Sequence, residues 1–221
     1  MVTTIAGRRY AGKMAPRDPE ATKSRLLAAA LDEFAEKGIA GARVDAIAER
    51  AHTNKRMLYY YFGSKDGIYR EILRQRLLST SETLQHTDVA DPDRLAIRHD
   101  RVLQHQQWVR LLMWEALEFE AESPLENEPD RRRLYDDWVN AIEAAQQAGR
   151  LADDLDPGQL LLSEMALIMF PLAFPQLTRL ITSAGPAEAG FAEHRRRFLQ
   201  AAGRRLTQPG GTERRAGLDE P

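Results

Sequence analysis

The sequence contains no cysteine, which excludes disulfides, thiolate metal sites and cysteine nucleophiles and suits a reducing cytosol. Its N-terminal stretch, MVTTIAGRRYAGKMAPRDPE, lacks the apolar h-region of a secretory signal. No segment alternates apolar and polar residues as a half-buried strand does, and none recurs at a fixed period. There is no Ser/His/Asp order, no phosphate loop and no carboxylate pair with a supporting residue. An enzyme is therefore not expected, and neither is a cofactor. His99 and His105 stand near several carboxylates, but a spacing of six does not put them on one helical face, so no metal site is expected. The glutamates at 115, 118 and 122 recur at helical spacing and read as a solvated stripe.

What the chain does have is 221 residues, 43% of them hydrophobic, enough for one large core or two modest ones. The net charge of −2 conceals a division: residues 1–76 carry 15 Lys/Arg against 9 Asp/Glu, net +6, and residues 77–221 carry 16 against 24, net −8. A basic N-terminal third on an acidic remainder points to a polyanion as partner of the first part alone.

Residues 1–17 form a Gly/Ala/Arg-rich arm without apolar periodicity, read as a flexible basic leader; a second reading has it reach into a minor groove. Asp18-Pro19 opens a helix whose stripe is Leu26, Leu27, Ala30, Leu31 and Phe34, with Gly38 to end it. The segment 43–62 then reads as helix, turn, helix. Val44, Ile47, Ala48 and Ala51 recur at i, i+3, i+4 and i+7, His52–Thr53–Asn54 make the turn, and Asn54 caps the second helix. There Leu58 and Phe62 point inward. At about 100° per residue Arg56 and Tyr60 then point directly outward, with Tyr59 and Met57 on the flanks. So short a helix is held by its neighbours while it offers Lys, Arg and Tyr to an outside partner, the manner in which a helix-turn-helix presents its recognition helix to DNA. Ser64 caps a long fourth helix that links this domain, 18–80, to the rest, with the boundary near 79–86.

Beyond the boundary the chain, 87–206, reads as helices throughout. Residues 107–122 are apolar nearly all round, as in a helix buried between others or lining a cavity. The segment 160–181, LLLSEMALIMFPLAFPQLTRLI, approaches membrane-spanning length, roughly 20 residues. An uncompensated Glu164 and the ladder-breaking Pro171 and Pro175 argue against a span. The last helix carries Phe191, Phe198, Leu199, Ala202 and Leu206, and from 207 the composition is that of a disordered tail. The expected architecture is all-α, about nine helices, with an N-terminal three-helix helix-turn-helix domain and a C-terminal helical bundle.

The pattern ATKSRLLAAALDEFAEKG, VDAIAERA, LYYYFGSKDGIYREIL over 22–73 resembles the DNA-binding domain of TetR/AcrR-type transcriptional regulators. Its most specific part is Leu58-Tyr59-Tyr60-Tyr61-Phe62 with Lys65 three residues on. The resemblance implies a cytoplasmic, nucleoid-associated homodimer on a palindromic operator of double-stranded DNA. Lys55 and Arg56 would read base edges. Tyr59 would contact phosphate, and Tyr60 and Tyr61 backbone or base. Lys65 would grip a phosphate, Arg43 and Val44 would approach the neighbouring backbone, and Asn54 would begin the recognition helix. The family pattern has glycine where His52 stands, Ser or Thr at Arg43, and a small residue at Met57. For the C-terminal part the resemblance implies a ligand-binding and dimerisation domain that pairs through 157–183 and 187–206.

The Trp- and Met-rich helices of that part read either as plain core or as a pocket for an apolar or cationic small-molecule inducer. The residues singled out for a pocket are Trp108, Leu112, Trp114, Trp138, Glu164, Met165 and Met169. The expected function is a repressor released by such a ligand. A transcriptional activator and a ligand-independent DNA-binding dimer with a filled core are the alternatives.

Overall fold

The computed structural model describes residues 18–207; the basic arm at 1–17 and the tail from 208 onward lie outside the described residues. Among the described residues there are ten helices and no strand: α1 (Pro19–Gly41), α2 (Val44–Arg50), α3 (Lys55–Phe62), α4 (Lys65–Gln85), α5 (Arg94–Gln104), α6 (Gln106–Glu118), α7 (Glu128–Gln147), α8 (Pro157–Ala173), α9 (Pro175–Thr182) and α10 (Ala189–Leu206).

The N-terminal core forms where the stripes of α1 to α4 meet. Leu26, Ala30, Phe34, Ile47, Leu58, Ile68 and Leu73 are fully buried, and the Phe34 ring meets Tyr69 edge-on at 5.6 Å. Burial of a large aliphatic side chain stabilises by about 1.5–3 kcal/mol, so these seven residues hold the short α2 and α3, which cannot nucleate alone. The cluster does not end with α4. Leu111 of α6 is buried in it and Trp108 packs against it.

Helix α6 also completes α1. Gly38 turns the last part of α1 with φ 74°. The freed carbonyl of Ala35 accepts from Arg110 Nε at 2.9 Å and Trp114 Nε1 at 3.2 Å. The Ala40 N–H donates to the Glu118 carboxylate at 3.1 Å. A Cβ on Gly38 would stand 2.1 Å from Glu118 Oε1 and 3.0 Å from the Trp114 ring, so glycine is required twice over, by φ and by space.

The solvated stripe expected at 115, 118 and 122 is thus corrected. Glu118 caps a neighbouring helix, and Glu115 is buried. The Glu115 carboxylate takes both arms of Arg131 from α7 at 2.6 and 2.7 Å, and the Tyr69 hydroxyl of α4 at 2.7 Å. Burial, then the Glu115 bond, pushes the Tyr69 hydroxyl far above its ordinary range.

The C-terminal part is built on α5, α7, α8 and α10. One cluster joins Trp138 and Ile142 of α7 to Leu160 and Leu161 of α8. A second joins Leu95 of α5, Ile168 of α8 and Leu199 of α10. The segment expected as one helix from 157 to 183 is two, meeting at 93°, which raises nine expected helices to ten. Pro171 lies inside α8 and does not break it; the break falls at Phe174–Pro175. Each proline removes the donor of one carbonyl four residues back, and both carbonyls are satisfied by side chains. Arg195 of α10 donates to Leu167 O, and the Thr178 hydroxyl donates to Pro171 O at 3.4 Å. Among the described residues no single helix is long and apolar enough to cross a membrane, although the bent pair α8 and α9 passes by length and composition.

Candidate nucleic-acid interface

Helix α3 is fixed from beneath and open above. Asn54 caps it, its Oδ1 accepting the Met57 N–H at 3.2 Å, and Gly63 ends it with φ 74°. Only Leu58 is fully inside, while Met57, Tyr61 and Phe62 pack partly against the same cluster. Tyr59 and Tyr60 are 49% and 76% exposed. Tyr60 is braced edge-on by Tyr61 at 5.1 Å, which steadies a large side chain that would otherwise be ordered only at a cost in entropy. Arg56 is exposed and makes no hydrogen bond or ion pair among the described residues. Lys55 lies 3.3 Å from Asp45 of α2, both exposed; such a surface pair stabilises by about 0–1 kcal/mol and yields readily to a stronger anion.

The three departures from the family pattern have definite geometries. His52 adopts the left-handed conformation with φ 50°, so the turn keeps its shape and His bears the strain that glycine would avoid. Arg43 gives α2 no side-chain cap. The buried Glu33 of α1 accepts the N–H of Arg43 itself at 3.4 Å, which fixes the chain just before α2, and the Arg43 side chain remains exposed. Met57 is half-buried and packs inward.

Lys65 is engaged within the protein. Its ammonium donates to Ala40 O at 3.1 Å and Ala42 O at 3.3 Å, so it ties the connection that sets where α2 begins. Ser64 caps α4 through the Gly67 N–H at 2.9 Å. Val44, half-buried, packs against the core at the start of α2.

The seven residues singled out for a pocket are not brought together. Trp108 lines a cleft between α1, α4 and α6, and Leu112 a concavity facing α7. Trp114 is committed to Ala35 O. Met165 and Met169 pack against the two C-terminal clusters. Only Trp138 and Glu164 share a space. Glu164, expected to be uncompensated, is spanned by Arg94 Nη2 at 2.6 Å and Arg98 Nη1 at 2.9 Å, and the Arg98 guanidinium lies 4.1 Å from the Trp138 ring centroid. A buried carboxylate between two guanidiniums has no charge left for a cationic ligand. Arg94 and Arg131 went unremarked in the sequence because their partners lie far along it.

The fold and the exposed face of α3 define a helix-turn-helix protein. Residues 26–72 match the model of bacterial regulatory proteins of the tetR family, and residues 91–205 that of the tetracyclin repressor-like C-terminal domain. The chain is 35% identical over 178 residues to the HTH-type transcriptional repressor SCO4008 of Streptomyces coelicolor, covering 79% of this chain and 90% of that protein. It is 30% identical over 145 residues to the HTH-type transcriptional repressor NicS of Pseudomonas putida, covering 61% of this chain and 68% of that one. A solved structure of a transcriptional regulator, SCO4942 of Streptomyces coelicolor, matches with a TM-score of 0.69 at 29% identity over 84% of this chain and 97% of its own. The chain belongs to the TetR family, and it is a DNA-binding transcriptional regulator rather than an enzyme.

Proposed function

We propose that the protein is a cytoplasmic homodimeric repressor whose paired α3 helices occupy successive major grooves of a palindromic operator and which a small molecule releases. The observation that carries this reading is the open face of α3, with Arg56, Tyr59 and Tyr60 above a buried Leu58. In this reading Arg56 and Lys55 address base edges, guanine most naturally. Tyr59, Tyr60, Tyr61 and Arg43 address backbone, and Asn54 and Val44 set the starts of α3 and α2. Lys65 contributes by holding the α1–α2 connection that aims α2 at the backbone, and its phosphate contact requires it to leave the carbonyls of Ala40 and Ala42.

Support for pairing comes from the apolar surface that α8 to α10 leave uncovered, including Leu162, Phe170, Leu177, Leu180, Ile181 and Phe198. So many large apolar side chains left exposed on successive helices suit an interface. Helix α4 runs out of the DNA-reading core into the C-terminal part, joined to α6 and α7 through Tyr69, Glu115 and Arg131. A ligand with different affinity for two arrangements of these helices shifts the spacing of the recognition helices.

Selection of bound fragments from a genomic pool, followed by footprinting, tests the reading. The expected outcome is an inverted repeat with half-site centres about one helical turn apart, roughly 34–36 Å. Selection of an unpaired site, or of no sequence at all, refutes it.

A further inference from the structure

A cavity of about 280 Å³ lies between α4, α5 and α7. Arg76 of α4 and Arg98 and Arg101 of α5 line it, and no carboxylate does. Its inner end shares Thr83, Arg98 and Trp138 with a much smaller space that reaches Arg94 and Glu164. There the one carboxylate is already taken by two guanidiniums. Two buried N–H donors on the lining residues, Arg76 Nε and Trp138 Nε1, have no acceptor from the protein. Burial alone holds the Arg76 guanidinium below its ordinary range, with no carboxylate to offset it. Burial likewise pushes Arg98 down to about 10, despite its bond to Glu164. Cations and orphaned donors thus collect around one space; Arg98 has Glu164, whereas Arg76, Arg101 and the Trp138 N–H have no anionic acceptor among the described residues.

The space continues. Arg76, Ser79 and His105 also line the cleft between α1, α4 and α6, about 420 Å³. Leu27, Leu31, Ile72 and Trp108 make that cleft apolar, Glu20 and Lys23 are its charged members besides Arg76, and Arg76 lies 5.7 Å from the Trp108 ring centroid. A head group at Arg76 would leave an attached apolar body against Leu31 and Trp108, beside a helix of the DNA-reading core.

We infer that the protein binds an organic anion, its carboxylate among Arg76, Arg98 and Trp138 and its apolar body in the cleft beside α1. The regulatory consequence rests on the ligand-released reading above; the binding itself does not. This ligand class replaces the cationic one that the bare sequence suggested for Glu164.

Matched compounds that differ only in head-group charge test the inference on the full chain: octanoate, octanamide and octylammonium, read by calorimetry and by quenching of tryptophan fluorescence. Octanoate is expected to bind at least tenfold more tightly than the other two. Arg76→Gln, which breaks no ion pair, should weaken octanoate about tenfold or more and leave octanamide unchanged, in keeping with loss of one charge-assisted bond. Arg101→Gln, at an exposed position, should show a smaller loss in the same direction. Equal or tighter binding of octylammonium, no binding by any of the three, or octanoate binding indifferent to Arg76→Gln overturns the inference. Octanoate binding that leaves operator DNA bound sustains the site and removes the ligand-released reading; DNA release by the amide or the amine alone does the reverse.

Discussion

Arg195 of α10 donates to the carbonyl of Leu167, the acceptor that Pro171 leaves without its helical N–H. The arginine thereby lets a buried proline stand inside α8, and the two residues should be energetically coupled. Arg195→Met should destabilise by about 1–3 kcal/mol, the cost of an orphaned buried acceptor. In a background carrying Pro171→Ala, which restores a backbone N–H at that position, the same change should cost clearly less. Urea denaturation of the four proteins gives the coupling. Strictly additive costs would mean that the guanidinium matters only through its packing on Phe198.

Base reading and backbone gripping separate by their salt dependence and by the sequence selected. Arg56→Ala should relax or change the preferred base at one position in each half-site, at a cost of about 1–3 kcal/mol. Tyr59→Phe should weaken all sites alike. Lys65→Ala should lower both DNA affinity and thermal stability, because two carbonyls lose their donor. If selection with Arg56→Ala returns the wild-type consensus, Arg56 does not read a base.

The α9 surface offers a direct test of pairing. Leu180 and Ile181 are 75% and 73% exposed, so aspartate at both positions should leave the helical circular dichroism unchanged. Sedimentation equilibrium should then report a monomer, with operator affinity reduced at least a hundredfold. A persistent dimer would place the interface elsewhere.

His99 makes stability depend on pH in a particular direction. It is buried in the α5/α10 region with neither ring nitrogen bonded. Asp100 approaches no closer than 3.9 Å. Burial first, and Arg195 second, hold its imidazole below the usual range. The unfolded chain takes up a proton near the ordinary value of about 6.5, and the folded chain does so only at lower pH. Between those values the unfolded state binds more protons, so stability falls as pH falls through about 6.5 and has no slope from this group above about 7. His99→Leu should flatten the curve below about pH 6.5. His105, depressed by burial and then by Arg76, contributes a slope of the same sign that His99→Leu leaves in place. Thermal melts across that range would decide, and an unchanged slope would refute the assignment.

The DNA-reading part was legible because its determinants are local. Asp18 and Asn54 cap the helices that their positions predict, the stripes of α1 and α2 face the core, and the 3.6-residue period turns Tyr60 outward. The helix-level result at Pro171 and Pro175 was not legible, since both lack the N–H and both leave a carbonyl that a side chain takes up, so local sequence does not tell which of the two bends the helix. Glu115 and Glu164 were misjudged for a related reason. Spacing gives the face on which a glutamate stands but not what packs there, and Arg94 is 70 residues from Glu164. The pocket residues proved to be dispersed for the same reason. Bulky side chains mark a core or a cavity alike, whereas the donors at Arg76 and Trp138 become conspicuous only once their surroundings are known.

The clasp of α6 on the end of α1 means that the DNA-reading head draws part of its core and of its hydrogen bonding from the C-terminal part. A fragment ending near residue 80 would lose Leu111 and Trp108 from its core and leave the Ala35 carbonyl and the Ala40 amide without their partners from α6. The amide of Ala40 should therefore exchange with solvent at a rate set by opening of α6, and a compound that stiffens α6 would slow exchange in a helix it never touches.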